Sequence, residues 1–188
     1  MKKIVFALAA AAFLCALAPS TSTFARPKEK TVMVGGAPMY PSKNIVENAI
    51  NSKDHTTLVA AVKAAGLVET LQGDGPFTVF APTNAAFNML PKGTVDNLLK
   101  PEMKDQLSSV LTYHVVPGRL DSKELMRMIK AGGGKAMVKT VQGEELTLMM
   151  KGGSIEVKDA KGGVAMVTTK DVYQKNGVIH VVNKVLMP

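Results

Sequence analysis

The hydrophobic period of this chain changes once, and the change falls at a triple glycine, Gly132-Gly133-Gly134. Before it, apolar residues recur at helical spacing. Ile45, Val46, Ala49 and Ile50 mark a short helix. Leu58, Ala61, Val62 and Ala65 share one face of the next, with Asp54 as its expected cap and Gly66 as its stop. Pro76-Phe77-Thr78-Val79-Phe80-Ala81 is a β-rich run, and Pro82-Thr83-Asn84 then opens a helical turn through Phe87. Pro101 begins a helix striped by Leu107, Val110, Leu111 and His114, and Asp121 is placed to cap another that runs through Ile129.

After the glycines the pattern alternates. Residues 136–141, 146–151, 155–158, 164–169 and 178–187 read as strands. Lys151-Gly152-Gly153-Ser154 and Lys161-Gly162-Gly163 are turn signals that favour hairpins. Helices first and strands later, with short connections, predict an α+β domain with helices packed on a mostly antiparallel sheet.

The first 25 residues are read as a segment apart from this domain. Lys2 and Lys3 precede an uncharged apolar stretch from Ile4 to Ala18, and Thr23-Phe24-Ala25 offers a small-residue cleavage site. That is the pattern of a secretory signal peptide cut near Ala25. The single cysteine of the chain, Cys15, lies within it. Cleavage removes Lys2 and Lys3 and so lowers the formal charge from +8 to +6. What remains lacks cysteine, and it must be stabilised by its core and not by disulfides. Residues 26–42, with three prolines and Gly35-Gly36, read as a flexible lead-in, and the domain is placed at 43–188. Localisation is expected outside the cytoplasm, in the periplasm or the medium, with no transmembrane segment after cleavage.

The residues offer little catalytic chemistry. His55, His114 and His180 are far apart in sequence and lack metal-ligand spacing, so no metal site and no cofactor is expected. His114, on an apolar stripe near a helix end, reads as a hydrogen-bonded core histidine, and His180 as a packed strand residue. No Gly-x-Ser-x-Gly is present, and Ser108-Ser109 has no neighbouring base, so no enzyme is expected. Met126-x-Met128 and Met149-Met150 raise the possibility of copper(I), which favours thioethers. Their helix and strand positions make core filler the simpler reading. With no Trp and no aromatics interleaved among the lysines, specific nucleic-acid binding is not expected.

Three segments, in order, resemble a fasciclin domain. They are Gly75-Pro76-Phe77-Thr78-Val79-Phe80-Ala81-Pro82-Thr83-Asn84-Ala85-Ala86-Phe87, then Tyr113-His114-Val115-Val116-Pro117-Gly118, then the run from Asn176-Gly177-Val178-Ile179-His180 to Pro188. The chain is similar to single-domain secreted bacterial members of that family, among them the mycobacterial immunogenic and rhizobial symbiosis-associated ones. Phe77, Phe80 and Phe87, the only Phe beyond the signal, are expected to anchor the core, with Pro82 ending a strand and Thr83 or Asn84 capping the helix after it. Asn176-Gly177 is expected to turn the chain into a last buried strand that contains His180. The resemblance implies a fasciclin-like wedge of helices on a sheet and a non-catalytic adhesion or interaction module. Such a module meets a cell-surface or extracellular-matrix protein or glycan, and this one is expected to do so as a monomer. In animal members, integrin contact is attributed to a Tyr-His segment and to an Asp-Ile pair before the last motif. Tyr113-His114 and Asp171-Val172 hold the matching places here, with Val for Ile and Thr169-Lys170 for the acidic-Pro pair before it. The alternative is an envelope carrier of polyanion, lipid or copper.

Overall fold

The computed structural model describes residues 31–188. The expected signal peptide and its expected cleavage point near Ala25 lie outside the described residues. So does the first part of the lead-in.

The remainder of the lead-in is part of the fold. Strands β1 (Val32–Val34) and β2 (Ala37–Met39) form an antiparallel hairpin, and Val34, Ala37 and Met39 are buried. The lead-in expected over 26–42 thus contains a paired hairpin over residues 32–39. The hairpin is held by polar groups that its own sequence does not contain. The Tyr40 N–H donates to Asn48 Oδ1 at 3.0 Å, and Asn48 Nδ2 donates to the Tyr40 carbonyl at 2.8 Å and to Gln174 Oε1. Asn48 and Gln174 are buried, so these bonds, with the one that Gln174 Nε2 donates to the Val172 carbonyl, offset the desolvation cost of both side chains.

Seven helices follow in the first two-thirds of the chain: α1 (Ile45–Ala49), α2 (Thr56–Ala65), α3 (Val68–Gln72), α4 (Asn84–Asn88), α5 (Thr94–Leu98), α6 (Lys104–Tyr113) and α7 (Ser122–Ala131). Their ends follow local chemistry where the sequence supplied it. Gly66 adopts the left-handed conformation that stops α2, Thr83 accepts from the Ala86 N–H at the start of α4, and Asp121 accepts from the Glu124 N–H at the start of α7. Asp54 does not cap α2. It lies in a 3-10 turn, Lys53–His55, that runs straight into the helix, and Asn84 reaches across to accept from the Thr57 N–H at 3.0 Å.

Strands β3 (Phe77–Pro82), β4 (Val115–Pro117), β5 (Lys135–Lys139), β6 (Glu145–Lys151), β7 (Ser154–Lys158), β8 (Val164–Gln174) and β9 (Gly177–Val182) form one sheet, in the order β4-β3-β9-β8-β7-β6-β5. All pairs are antiparallel except β3 with β9, which is parallel. The sheet curls until its ends approach, and the Val141 N–H donates to the Val115 carbonyl at 2.8 Å.

This curl separates two cores. One, under α1, α2 and α6, includes Ile45, Leu58, Val62, Leu107, Leu111 and Ile179. The other, under α7, includes Phe80, Tyr113, Leu125, Ile129, Leu146 and Leu148. Strands β3 and β9 serve both. Val79 and Ala81 belong to the first core and Phe80 to the second, which explains why these strands read as unbroken apolar runs. Two glycines permit close approaches: a Cβ on Gly177 would lie 2.1 Å from the Phe77 carbonyl oxygen, and one on Gly132 would lie 2.0 Å from that of Lys135. The second approach presses the end of α7 onto the start of β5.

Candidate functional site

Tyr113 and His114, the pair to which the resemblance attaches partner contact, lie inside the molecule, with 0% and 3% of their surface exposed, and for His114 this is the core position read from its helical stripe. Tyr113 ends α6 with its hydroxyl between two backbone groups. The Ala160 N–H donates to it at 2.9 Å, and it donates to the Glu145 carbonyl at 3.2 Å. Burial, the largest influence, raises its pKa above the ordinary value. His114 is likewise committed on both ring nitrogens. Nδ1–H donates to the Val110 carbonyl at 2.8 Å, and Nε2 accepts from the Leu186 N–H at 3.0 Å, fixing the tautomer. The ring therefore clips the C-terminal segment, where Val185 and Leu186 are buried, to the end of α6. Burial pushes its pKa down to about 4, against weaker upward pulls from the Val110 carbonyl and the Asp159 charge.

The second expected pair sits elsewhere. Val172 is buried in the first core. Asp171 stands in a bulge of β8 and has a positive φ of 59°, alone among the described non-glycine residues. Its carboxylate receives the Ser122 N–H at 2.6 Å and the Ser122 hydroxyl at 2.5 Å, so it serves as a second anionic cap on α7 beside Asp121. Its own N–H points at His180 Nδ1, 3.4 Å away, while His180 Nε2–H donates to the Leu120 carbonyl at 2.8 Å. His180 is fully buried and stacks on Phe80 with centroids 5.8 Å apart. Desolvation lowers its pKa.

The family-motif residues follow the same logic. Phe80 and Phe87 are buried and Phe77 partly so. Pro82 is the last residue of β3 and Thr83 the cap of α4. Asn84 braces α2, with Nδ2 donating to the Lys53 carbonyl and the Thr56 hydroxyl, each at 2.9 Å. Asn176 does more than turn the chain. Its Oδ1 accepts from the Ile45 N–H at the start of α1, and its Nδ2 donates to the Leu71 and Gly73 carbonyls at the end of α3. These are contacts across more than 100 residues, and no local pattern announces them.

Catalytic geometry is thin. The Ser108 hydroxyl donates to the Ala65 carbonyl at 3.5 Å and not to a histidine. Ser52 and His55 Nδ1 are 2.9 Å apart, but both residues are buried under the β1–β2 hairpin. His55 Nε2, which has no hydrogen-bond partner, borders an apolar cavity of about 30 Å³. That is room for a water and not for a substrate. Burial lowers the pKa of His55 despite the nearby Ala81 backbone and Asp54. Among the described residues, no three His, Cys, Asp or Glu side chains gather as metal ligands, and no helix is long and apolar enough to cross a membrane.

Among the described residues, a cleft beside Asn176 and another at the end of α7 are open to solvent. One, of about 640 Å³, brings Glu47, Asp74, Arg119 and Lys175 together from four segments around Asn176. Arg119 donates to the Gln174 and Lys175 carbonyls at 3.3 and 3.2 Å, which stiffens one wall. The other, of about 930 Å³, lies between the end of α7 and the outer face of β5 and β6. Sequence reading identified neither. Its premise that Met149-Met150 is core filler is corrected here, because Met150 is exposed and Met149 lies out of phase with the buried Leu146 and Leu148.

Comparison with known proteins agrees with this architecture. The Fasciclin domain model matches residues 53–188. Protein sll1483 of Synechocystis is 46% identical over 160 residues, which cover 85% of this chain and 82% of that protein. Immunogenic protein MPB70 of Mycobacterium bovis is 36% identical over 145 residues, covering 74% and 66% respectively. Among solved structures, a FAS1 domain pair from the insect cell adhesion molecule fasciclin I superposes with a TM-score of 0.70 at 16% identity, over 79% of this chain and 52% of that one. The chain belongs to the fasciclin domain family.

Proposed function

We infer that this protein is an exported, non-catalytic interaction module that binds a cell-surface or matrix protein or glycan. The observation that carries the reading is how the family's motif residues are used. Tyr113, His114, Asn176 and His180 are buried and bonded within the fold, and Asp171 is tied to Ser122. The motifs thus act as a framework, and recognition falls to what the framework presents. Of the surfaces it presents, the cleft lined by Glu47, Asp74, Arg119 and Lys175 suits a polar partner best. It offers charges of both signs on a braced wall, which selects a partner by hydrogen-bond and charge complementarity more than by apolar area. Membership of a family that includes an insect cell adhesion molecule, and the signal-like N-terminus, support export and adhesion. The test is a photo-crosslinking residue at position 74 in cells that secrete the chain. A discrete protein or glycoconjugate captured there, and lost when Lys175→Glu is added, supports the reading. Capture unaffected by Lys175→Glu, or no capture, rejects the cleft.

A further inference from the structure

Three methionines from three different elements border the cleft at the end of α7: Met128, Met137 and Met149. None is near another in sequence, and the fold brings them together in two ways. Strand β5 alternates with Ala136 and Val138 buried, so Met137 points outward beside Lys135 and Lys139, and it is 67% exposed. On β6, Met149 shares that outer face. The register pairs Met137 with Thr147 and Lys135 with Met149, so the two methionines are diagonal neighbours on adjacent strands. That is a spacing of about 7–8 Å between backbones, well within reach of two long side chains. Met128 is one turn before Gly132, where α7 is pressed onto the start of β5, and this contact carries it to the cleft edge. It is half-buried against the second core.

We propose that Met128, Met137 and Met149 form a thioether site for a soft monovalent cation, Cu⁺ in the cell envelope. The inference is independent of the polar cleft and of the adhesion reading, and it departs from the sequence expectation of no metal. Thioethers are neutral, polarisable donors that select Cu⁺ over harder ions. The remaining groups in the cleft sharpen that choice. Lys135 and Lys158 also border it, and two nearby positive charges oppose a divalent ion twice as strongly as a monovalent one. Asp159 is the acidic side chain at this cleft, and its two carboxylate oxygens already accept from the Gly163 and Met187 N–H groups. Asp159 is thereby held toward the backbone, and Thr147, the other side-chain oxygen at the cleft, is a neutral hydroxyl that favours Zn²⁺ or Cu²⁺ far less than a free carboxylate or imidazole would. Flexible methionine side chains on a solvent-facing strand also allow an ion to enter and leave without opening the core.

The experiment uses the purified chain labelled with ¹³C at the methionine methyls and titrated with Ag⁺, a redox-inert stand-in for Cu⁺. The expected result is that the methyls of Met128, Met137 and Met149 shift together and saturate at one ion per chain, while exposed Met33 and Met89, remote in sequence from the trio, stay in place. The double variant Met137→Leu/Met149→Leu, which keeps size and lies on the solvent face, should weaken Ag⁺ tenfold or more. A competition for Cu⁺ with a bathocuproine chelator should show the same loss. Met128→Leu provides an independent arm. Equal shifts at Met33 and Met89, a loss of less than tenfold in the double variant, or Zn²⁺ binding as tightly at the same methyls overturns the proposal.

Discussion

His114 makes acid a specific reagent against this fold. In the unfolded chain its ordinary pKa is 6.5, and in the folded protein burial holds it at about 4. Between those values the unfolded state binds the extra proton, so stability falls as pH falls, and the loss is complete near pH 4. The difference corresponds to roughly 3 kcal/mol. The geometry says what fails. Nδ1–H already donates to the Val110 carbonyl, so protonation must occur at Nε2, which then no longer accepts from the Leu186 N–H. His55 and His180 have pKa values lowered by burial in the same direction, so wild-type stability alone does not isolate His114. The comparison with His114→Gln does. At pH 7.5 the variant should be less stable by about 1–3 kcal/mol, the cost of leaving buried partners unpaired. Wild type should then lose roughly 3 kcal/mol relative to the variant by pH 4, so that the gap closes or reverses, because the variant has no proton to take up at this position. Urea unfolding at a series of pH values reads both quantities, and exchange of the Leu186 amide reads the clip directly. Parallel stability curves for wild type and variant refute the reasoning.

Further outcomes follow from the other buried polar groups. Tyr113→Phe leaves the Ala160 N–H and the Glu145 carbonyl without their shared hydroxyl; denaturant unfolding should show a loss of about 1–3 kcal/mol with the fold retained. Asn176→Ala removes three bonds that fasten α1 and α3 and should cost about 2–4 kcal/mol, with hydrogen exchange rising first in those two helices. Asn84→Ala removes a cap from α2 supplied by another element, and thermal unfolding should record a loss of about 1–2 kcal/mol.

Much of the fold was legible because its signals are local. Gly66, Thr83 and Asp121 end or start helices with their own backbone or side chains, and the glycine turns at Gly152-Gly153 and Gly162-Gly163 lie between paired strands. What the sequence concealed depends on distant partners. The strands Val32–Val34 and Ala37–Met39 are three residues each, one with a proline, and their burial relies on Gln174, which meets Asn48 from 126 positions away. The parallel pairing of β3 with β9 and the reach of Asn84 and Asn176 are equally nonlocal. The site was the least legible part. Tyr113-His114 and Asp171-Val172 stood out by resemblance, yet they are spent on internal bonds. Glu47, Asp74, Arg119 and Lys175 form a cleft only through tertiary folding. One signal for the methionine cleft was present, namely the alternation that puts Met137 between outward-facing Lys135 and Lys139.

The claim that the motif residues are framework and that the polar cleft makes the contact is tested most directly by partner capture in intact cells. Three proteins should be compared: wild type, Tyr113→Phe, and Asp74→Lys/Lys175→Glu, each shown by circular dichroism to be folded. The account predicts that Tyr113→Phe captures as much partner per folded molecule as wild type, while the cleft variant loses at least tenfold. Capture lost in Tyr113→Phe and kept in the cleft variant contradicts it.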